Sequence, residues 1–284
     1  MTGPATASRR LRTILRMIRL DAGLSDAAVA QDLCWPPGRL PAIESGKAGI
    51  TLGCLRSLLA HYRITNPDRI NQLVLLQKLA RGPHWADTFR QFYSRPFLDF
   101  LRHETDARQI LCFHPRAVPG LLQTEAYARA IIQATAPHPV SRRDTEARVK
   151  ARMRRQHAVF TTDRHVQVAL TELALLRPVT ADNAVMRTQF DHLAALVERP
   201  RVDLTLLPAD CDTHTGVGPF VVLMYHSPPD PDLVYRDDAP TATALDDAPS
   251  TVERYQMAFS DLRAHGTSGQ EMATRLTTIW DDIR

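Results

Sequence analysis

The sequence predicts an α+β protein of two domains: an all-α N-terminal domain of five short helices and a C-terminal α+β domain with a small, helix-covered sheet. Apolar residues recur at helical spacing along the first part of the chain. "RGPHWADTF" then breaks the helical pattern and gives domains at residues 1–82 and 83–284. Beyond it, strand patterns alternate with amphipathic helices.

Capping residues set the ends of most N-terminal helices. Gly23 ends a first helix over residues 8–21, and Ser25 caps the second, "SDAAVAQDL". Thr51 caps the fourth helix, and Pro67 is tolerated in the first turn of the fifth.

The third helix contains several prolines, within "CWPPGRLPAIESGK". Pro37 at the first helical position is tolerated there, since its missing N–H has no partner anyway. Pro41, one turn further on, is expected to remove a backbone hydrogen bond and crowd the carbonyl of Pro37, at roughly 3 kcal/mol or a kink.

Three N-terminal strings, "LRTILRMIRLDAGLSDAAVAQDL", a "W" and "IESGKAGITLGCLRSLLAHYRI", resemble the XRE/lambda-repressor-like helix-turn-helix domain. In that family the second helix braces against the DNA backbone and the third lies in the major groove. The resemblance implies that DNA contacts come from Arg9, Arg12, Arg16, Ser25, Arg39 and Lys47.

The chain departs from this family where bases are read. Asp26 stands where the family usually has Gln and would repel a phosphate, and of the usual base-reading side chains only Arg39 remains. Two hypotheses follow: DNA is bound mostly through phosphates, or the fold is kept as a scaffold without operator recognition. For Arg39 itself, a solvated surface arginine is the alternative to a base contact.

Charge is distributed unevenly along the chain. Residues 1–81 hold 12 Lys/Arg and 5 Asp/Glu, a net of +7, while the rest hold 23 and 26, a net of −3. A basic N-terminal domain indicates a polyanionic partner. No membrane span or signal peptide is expected, and the four separated cysteines form no CxxC pair, so a reducing cytoplasm is predicted.

The C-terminal part predicts strands in "ILCFHPRAVPG", "HVQVALTE", "RVDLTLLP", "GPFVVLMYHS" and "PDLVYRD". Helices are predicted in "FYSRPFLDFLRHETDARQI", "LLQTEAYARAIIQAT", "NAVMRTQFDHLAALVER", "STVERYQMAFSDLRAHG" and "SGQEMATRLTTIWDDI". A further long helix, "SRRDTEARVKARMRRQHAVF", carries arginines that are interpreted as a solvated or ion-paired face.

Several of these strings resemble the C-terminal domain of actinobacterial Scr1-type, WhiJ-like or antitoxin-like regulators, above all "VPGLLQTEAYARA", "VMRTQFDHLAAL" and "GPFVVLMY". The chain departs from that family at Thr180, where Gly is usual, and at Arg236-Asp237, where Glu is usual. The resemblance implies a domain that senses a small molecule or binds a small partner protein.

Few residues point to chemistry. Cys211 and His214 in "LPADCDTHTG" suggest a thiol nucleophile and its base, but a polar turn is the favoured reading. Glu104 and Glu172 lie in apolar segments and need partners, with arginine the expected one. No catalytic residue, metal site or cofactor is predicted.

A pocket is expected where "VPGLLQTEAYARA" meets the strands "HVQVALTE" and "GPFVVLMY", with Gln123, Tyr127 and Glu172 as its polar groups. For Tyr127 a packed core aromatic, and for Glu172 a structural salt bridge, is the alternative.

These features predict a cytoplasmic, homodimeric, DNA-binding transcriptional regulator that is not an enzyme. The alternative is a repurposed family member with a vestigial helix-turn-helix, acting as an enzyme or small-molecule-binding protein in a biosynthetic pathway.

Overall fold

A computed structural model describes residues 3–136, 138–210, 218–225, 231–236 and 245–283. They form two compact units, an N-terminal unit up to His84 and a C-terminal unit from Trp85 onward. The α+β class is confirmed, with helices throughout and a mixed sheet in the C-terminal unit. In the described ranges, no helix is long and apolar enough to cross a membrane.

The N-terminal unit is all-helical. Its helices are α1 (Pro4–Asp21), α2 (Asp26–Asp32), α3 (Arg39–Glu44), α4 (Leu52–His61) and α5 (Pro67–Ala80). The hydroxyls of Ser25 and Thr51 accept hydrogen bonds from backbone N–H groups in the first turns of α2 and α4, as the capping pattern predicts. Leucines of α1, α3, α4 and α5 form its core, with Leu15, Leu40 and Leu55 fully buried.

An ion pair joins α1 to α3, although no pattern in the sequence predicts it. Nε and Nη2 of Arg19 each donate to a carboxylate oxygen of Glu44 at 2.7 Å, and Nη1 donates to the carbonyl of Leu24. The two side chains are only 11% and 8% exposed. Arg19 and Glu44 therefore fix the position of the short third helix against the first.

The expected strain at Pro41 is absent, because α3 begins two residues later than the sequence suggests. Gly38 adopts the left-handed conformation, with φ of 81°, and precedes the first helical residue, Arg39. Pro41 thus lies in the first turn, where a backbone N–H has no helical partner to lose. The prolines shorten the helix to six residues instead of kinking it.

The C-terminal unit is organised around a seven-stranded mixed sheet in the order β6-β5-β4-β1-β2-β3-β7. The strands are β1 (Gln109–His114), β2 (His165–Thr171), β3 (Val202–Leu207), β4 (Phe220–Met224), β5 (Leu233–Arg236), β6 (Leu245–Asp246) and β7 (Thr267–Ser268). β1, β2 and β3 are parallel, and the other pairings are antiparallel. The sheet is larger than the small one expected from sequence, because the two-residue strands β6 and β7 extend its edges.

Seven helices accompany the sheet in the described part of this unit. They are α6 (Arg95–Asp106), α7 (Glu125–Ala134), α8 (Arg142–Phe160), α9 (Leu173–Leu176), α10 (Asn183–Val197), α11 (Pro249–Ala264) and α12 (Gly269–Ile283). Helix α7 begins later than expected, because Gly120–Leu122 form a 3-10 turn and Thr124 caps the helix.

The two faces of the sheet are buried by different helices. Side chains alternate along the strands, so that Ile110 and Cys112 of β1 join one hydrophobic cluster and Leu111 and Phe113 join another. The first cluster includes residues of α6, α7, α8, α10 and α12, and the second is closed by α11. The side closed by several helices holds the cavity described next.

Candidate functional site

A pocket of about 590 Å³ opens in the C-terminal unit, beside the carboxyl end of β1. We call it the arginine pocket. Its lining comes from the segment leading into α6, from α6 itself, from the turn at Pro119-Gly120, from α7 and α8, and from strands β1, β4 and β5. The carboxyl end of a parallel strand is a common place for ligand sites in sheets of this kind.

Three arginines of α8 project into this pocket from one face of the helix. Arg148, Arg152 and Arg155 follow each other at spacings of four and three residues, which places them on successive turns of one face. The interpretation of this helix as a solvated or ion-paired face holds for the exposed Arg142, Arg143 and Arg154 and for the ion pair of Arg155, but it did not anticipate that Arg148, Arg152 and Arg155 line a pocket. Arg154, on another face of α8, is exposed.

Arg155 is neutralised by a buried carboxylate. Its Nε and Nη2 donate to the two oxygens of Glu104 on α6 at 2.6 and 2.7 Å, and Glu104 is only 1% exposed. Burial works against the charge of Arg155, but the Glu104 carboxylate outweighs it and leaves the pKa of Arg155 raised. The arginine partner expected for Glu104 is therefore present, and it joins α6 to α8.

Arg152 is held by a buried amide. Its Nη1 donates to Oε1 of Gln123 at 2.5 Å, while Nε2 of Gln123 donates to the carbonyl of Val118 at 2.6 Å. A Cβ at Gly120 would lie 3.3 Å from Nη1 of Arg155 and 3.5 Å from Nε of Arg152. Glycine at this turn therefore lets the two guanidinium groups approach the backbone closely.

Arg148 is the least satisfied of the three. Its Nε is buried and makes no hydrogen bond within the described part of the chain. Its backbone carbonyl accepts a hydrogen bond from the Tyr93 hydroxyl at 3.3 Å. Burial raises the pKa of Tyr93, against the opposing effect of the three nearby arginines, so this hydroxyl remains protonated at neutral pH.

Aromatic rings form another part of the pocket lining. Phe100 and Tyr235 are stacked with ring centroids 4.1 Å apart, and Phe97 lies 5.8 Å from Phe100 and 4.9 Å from Tyr93. The guanidinium carbon of Arg155 lies 5.2 Å from the centre of the Phe100 ring. The pocket thus combines a flat apolar wall with a positively charged one.

The pocket offers no activated nucleophile among the residues that the structure describes. Burial raises the pKa of the Cys112 thiol to about 12, so it remains a protonated thiol at neutral pH. Nδ1 of His114 accepts a hydrogen bond from the backbone N–H of Ala117 at 3.3 Å.

The three polar residues predicted for a pocket lie in different places. Gln123 lines the arginine pocket, whereas Tyr127 is 1% exposed, lies in the core and does not line it. Glu172 also lies outside the lining, where both its carboxylate oxygens accept hydrogen bonds from Arg275 of α12. The alternatives given for Tyr127 and Glu172 describe their surroundings better than the pocket assignment.

The predicted walls of the pocket are also partly wrong. The "VPGLLQTEAYARA" segment and β4 do line the cavity, but β2 does not. β2 lies between β1 and β3, and Thr171 at its end donates a hydrogen bond to the carbonyl of Pro115. Arginines of α8 line the pocket where β2 was expected to do so. The spacing of Arg148, Arg152 and Arg155 was the feature of the sequence that could have predicted that they share one helix face.

The predicted DNA-contacting residues of the N-terminal unit fall into two groups. Arg16 and Lys47 are exposed, and Ser25 is exposed while its hydroxyl caps α2. Arg9, in contrast, is only 5% exposed, which does not suit a phosphate contact. Arg12 lies half-buried over the backbone of the α3–α4 turn.

Arg39, the one base-reading candidate, is folded onto its own unit. Its guanidinium carbon lies 4.9 Å from the centre of the Trp35 ring, and Nη2 donates to Sγ of Cys54 at 3.0 Å. The side chain is half-buried. Base reading by Arg39 would require these contacts to be released.

Two further predictions concern loops and metals. Cys211 and His214 lie outside the described residues, as does Asp237. Within the described part of the chain, no three His, Cys, Asp or Glu side chains are grouped as metal ligands.

Comparisons with known proteins give one finding for the C-terminal unit. No curated protein and no solved structure matches the chain. A family model described as "Domain of unknown function (DUF5753)" matches residues 97–278, which contain most of the C-terminal unit and the larger part of the chain. The chain belongs to the DUF5753 family.

Proposed function

We propose that this protein is a cytoplasmic, ligand-responsive transcriptional regulator. In this proposal the N-terminal unit binds DNA, and the arginine pocket of the C-terminal unit takes a small-molecule effector. The observation that carries the proposal is a pocket of about 590 Å³ with a cationic wall and an aromatic wall. Small-molecule sites commonly have this size and combine apolar walls with a few polar groups. A concave site of this volume favours a small molecule over a partner protein.

The DNA-binding part of the proposal is supported by charge and by exposure. The first 81 residues carry a net charge of +7, from 12 basic and 5 acidic residues, and Arg16 and Lys47 are exposed. The guanidinium of Arg39 already contacts the Trp35 ring and Cys54, so we expect it to contribute little to direct recognition of bases. We therefore expect binding through phosphates, with low sequence specificity and steep salt dependence. A homodimer is expected, since such regulators contact two half-sites.

A salt titration tests this proposal. Binding of the full chain to random and upstream-region duplexes is measured from low to physiological salt, and affinity should fall steeply on both. Arg16→Gln and Lys47→Gln should each reduce the slope of log affinity against log salt by about 1. Arg154→Gln, which makes the same charge change on α8, is the control. A flat salt response, or equal effects of all three variants, contradicts the proposal.

A second function is favoured by specific features of the N-terminal unit. The third helix has only six residues, Arg39 is held within the unit, and Arg9 is buried. These observations suit a protein that keeps the fold as a scaffold and uses the pocket alone. The raised pKa of the Cys112 thiol argues only against a thiolate nucleophile in this pocket.

Restoring the DNA-contacting pattern separates the two functions. The resembled helix-turn-helix family usually has Gln at position 26 and Arg at position 42, where this chain has Asp26 and Ala42. Asp26→Gln combined with Ala42→Arg removes a repulsive charge and adds a donor, so it should strengthen DNA binding if the regulator proposal holds. Pro41→Ser should add little, because Pro41 lies in the first turn of α3. Absence of DNA binding at low salt, in both the natural chain and the double variant, supports the second function.

A further inference from the structure

We propose that the arginine pocket binds a small aromatic anion, with its ring against Phe97, Phe100 and Tyr235 and its carboxylate or phosphate between Arg148 and Arg152. This inference rests on the proposed function only in calling the ligand an effector. The binding itself involves the C-terminal unit alone.

The charge of the pocket favours an anion. The three arginines on its α8 wall face one carboxylate, Glu104, whose two oxygens are both used by Arg155. None of the lining residues in the described part of the chain is an Asp or Glu. A cation would be repelled here, and a ligand without an acceptor would leave Nε of Arg148 unbonded.

The buried Nε of Arg148 is a hydrogen-bond donor that an anionic ligand could satisfy. Its Nε is buried and unbonded among the described residues. A buried donor without an acceptor is unfavourable, and a guanidinium group more so than a neutral donor. An anionic oxygen in the pocket would satisfy this donor with a charge-assisted hydrogen bond.

The spacing on α8 suits one anionic group held by two arginines. Arg148 and Arg152 lie one turn apart, about 6 Å along the helix axis. A carboxylate or phosphate between their guanidinium groups accepts from both. The bond from Arg152 to Gln123, and from Gln123 to Val118, holds one of the two groups in position before a ligand binds.

The aromatic wall selects a ring over a flexible chain. Phe100 is stacked on Tyr235 at 4.1 Å and the guanidinium of Arg155 lies over the same ring, so these two residues support the wall, while the partly buried Phe97 ring is the one most open to a ligand. A planar ligand gains offset-stacked or edge-to-face contacts that an aliphatic chain lacks. A ring and an anionic group on opposite ends of a small molecule match the two walls.

Displacement of a fluorescent probe tests the ligand class on the full chain. The probe is 8-anilinonaphthalene-1-sulfonate, an aromatic anion. Indole-3-acetate and phenyl phosphate should each displace it, whereas indole and inorganic phosphate should be weaker by about tenfold or more. The carboxylate and phosphate arms identify which anionic group is preferred. Displacement by indole as effective as by indole-3-acetate overturns the inference, as does a natural chain that does not bind the probe.

Variants locate the binding. Arg148→Met and Arg152→Met should each weaken the binding of indole-3-acetate about tenfold, and Arg154→Met should leave it within about twofold. Arg148→Met removes no described side-chain hydrogen bond, so it tests the inference even if Arg152→Met unfolds. Thermal melting verifies that each variant is folded. Equal weakening by Arg154→Met, or no weakening by Arg148→Met, overturns the assignment.

Failure of this inference is distinguishable from failure of the regulator proposal. Probe binding is measured without DNA, so a protein that binds aromatic anions but no DNA retains the inference and loses the regulator. A protein with salt-dependent DNA binding and no anion binding retains the regulator and loses the inference.

Discussion

Replacing Glu104 by Gln should strongly destabilise the C-terminal unit. The substitution keeps the size of the side chain and one oxygen acceptor, but it removes the charge that balances Arg155. Glu104 is 1% exposed and Arg155 13% exposed, so water cannot replace the lost carboxylate. Removing one partner of a buried ion pair costs about 3–5 kcal/mol, because the other charge is left uncompensated.

The loss is measured by unfolding of the full chain. Urea unfolding followed by circular dichroism gives the free energy, and tryptophan fluorescence in a Trp35→Phe background, where only Trp85 and Trp280 of the C-terminal unit remain, identifies the transition. For a domain of this size, 1 kcal/mol lowers the melting temperature by roughly 2–4 °C. The melting temperature should therefore fall by about 6–20 °C.

Glu146→Gln is the matched control for Glu104→Gln. It makes the same chemical change in an ion pair with Arg129, but Glu146 is 52% exposed. Water screens such a pair, and its loss should cost at most about 1 kcal/mol. If Glu104→Gln destabilises no more than Glu146→Gln, the buried pair does not stabilise the unit and the reasoning fails.

Three further predictions concern other contacts. Glu44→Gln should lower the stability of the N-terminal unit by about 3 kcal/mol, measured by urea unfolding, because it leaves Arg19 partly buried without its partner. Gly120→Val should weaken binding of the aromatic anion about tenfold in the displacement assay, since the new side chain presses on two guanidinium groups; unchanged affinity would contradict this. At pH 8, iodoacetamide should alkylate the exposed Cys34 but not Cys112, whose pKa is raised to about 12, as seen by mass spectrometry; equal labelling in the folded protein would refute the burial argument.

Local signals predicted the secondary structure well, because they act within a few residues. The hydroxyl caps at Ser25 and Thr51 form as expected. The predicted start of α3 at Pro37 was wrong, because Gly38 adopts a left-handed conformation and the helix begins only at Arg39, after Pro36 and Pro37. Pro41 would remove a helical hydrogen bond if α3 began at Pro37, but it removes none when α3 begins at Arg39.

The site depended on packing between distant segments. The need of Glu104 for an arginine followed from its apolar surroundings, but the choice of Arg155, 51 residues later, required the fold. The arginines of α8 are spread around the helix in sequence, and only the fold shows that Arg148, Arg152 and Arg155 line one cavity. Arg39 was the candidate for a base contact, but in the fold its guanidinium donates a hydrogen bond to Cys54 within the same unit.

Helix α8 links the stability of the C-terminal unit to its ligand. Arg155 uses the buried carboxylate of Glu104, while Arg148 and Arg152, on neighbouring turns, face the cavity. A ligand present at 100 times its dissociation constant stabilises the folded state by about 2.7 kcal/mol. That gain is comparable with the low end of the loss of about 3–5 kcal/mol expected for Glu104→Gln. An aromatic anion held between Arg148 and Arg152 should therefore raise the melting temperature of Glu104→Gln and offset part of the loss, because the anion binds only the folded state. An unchanged melting temperature with added indole-3-acetate would contradict this.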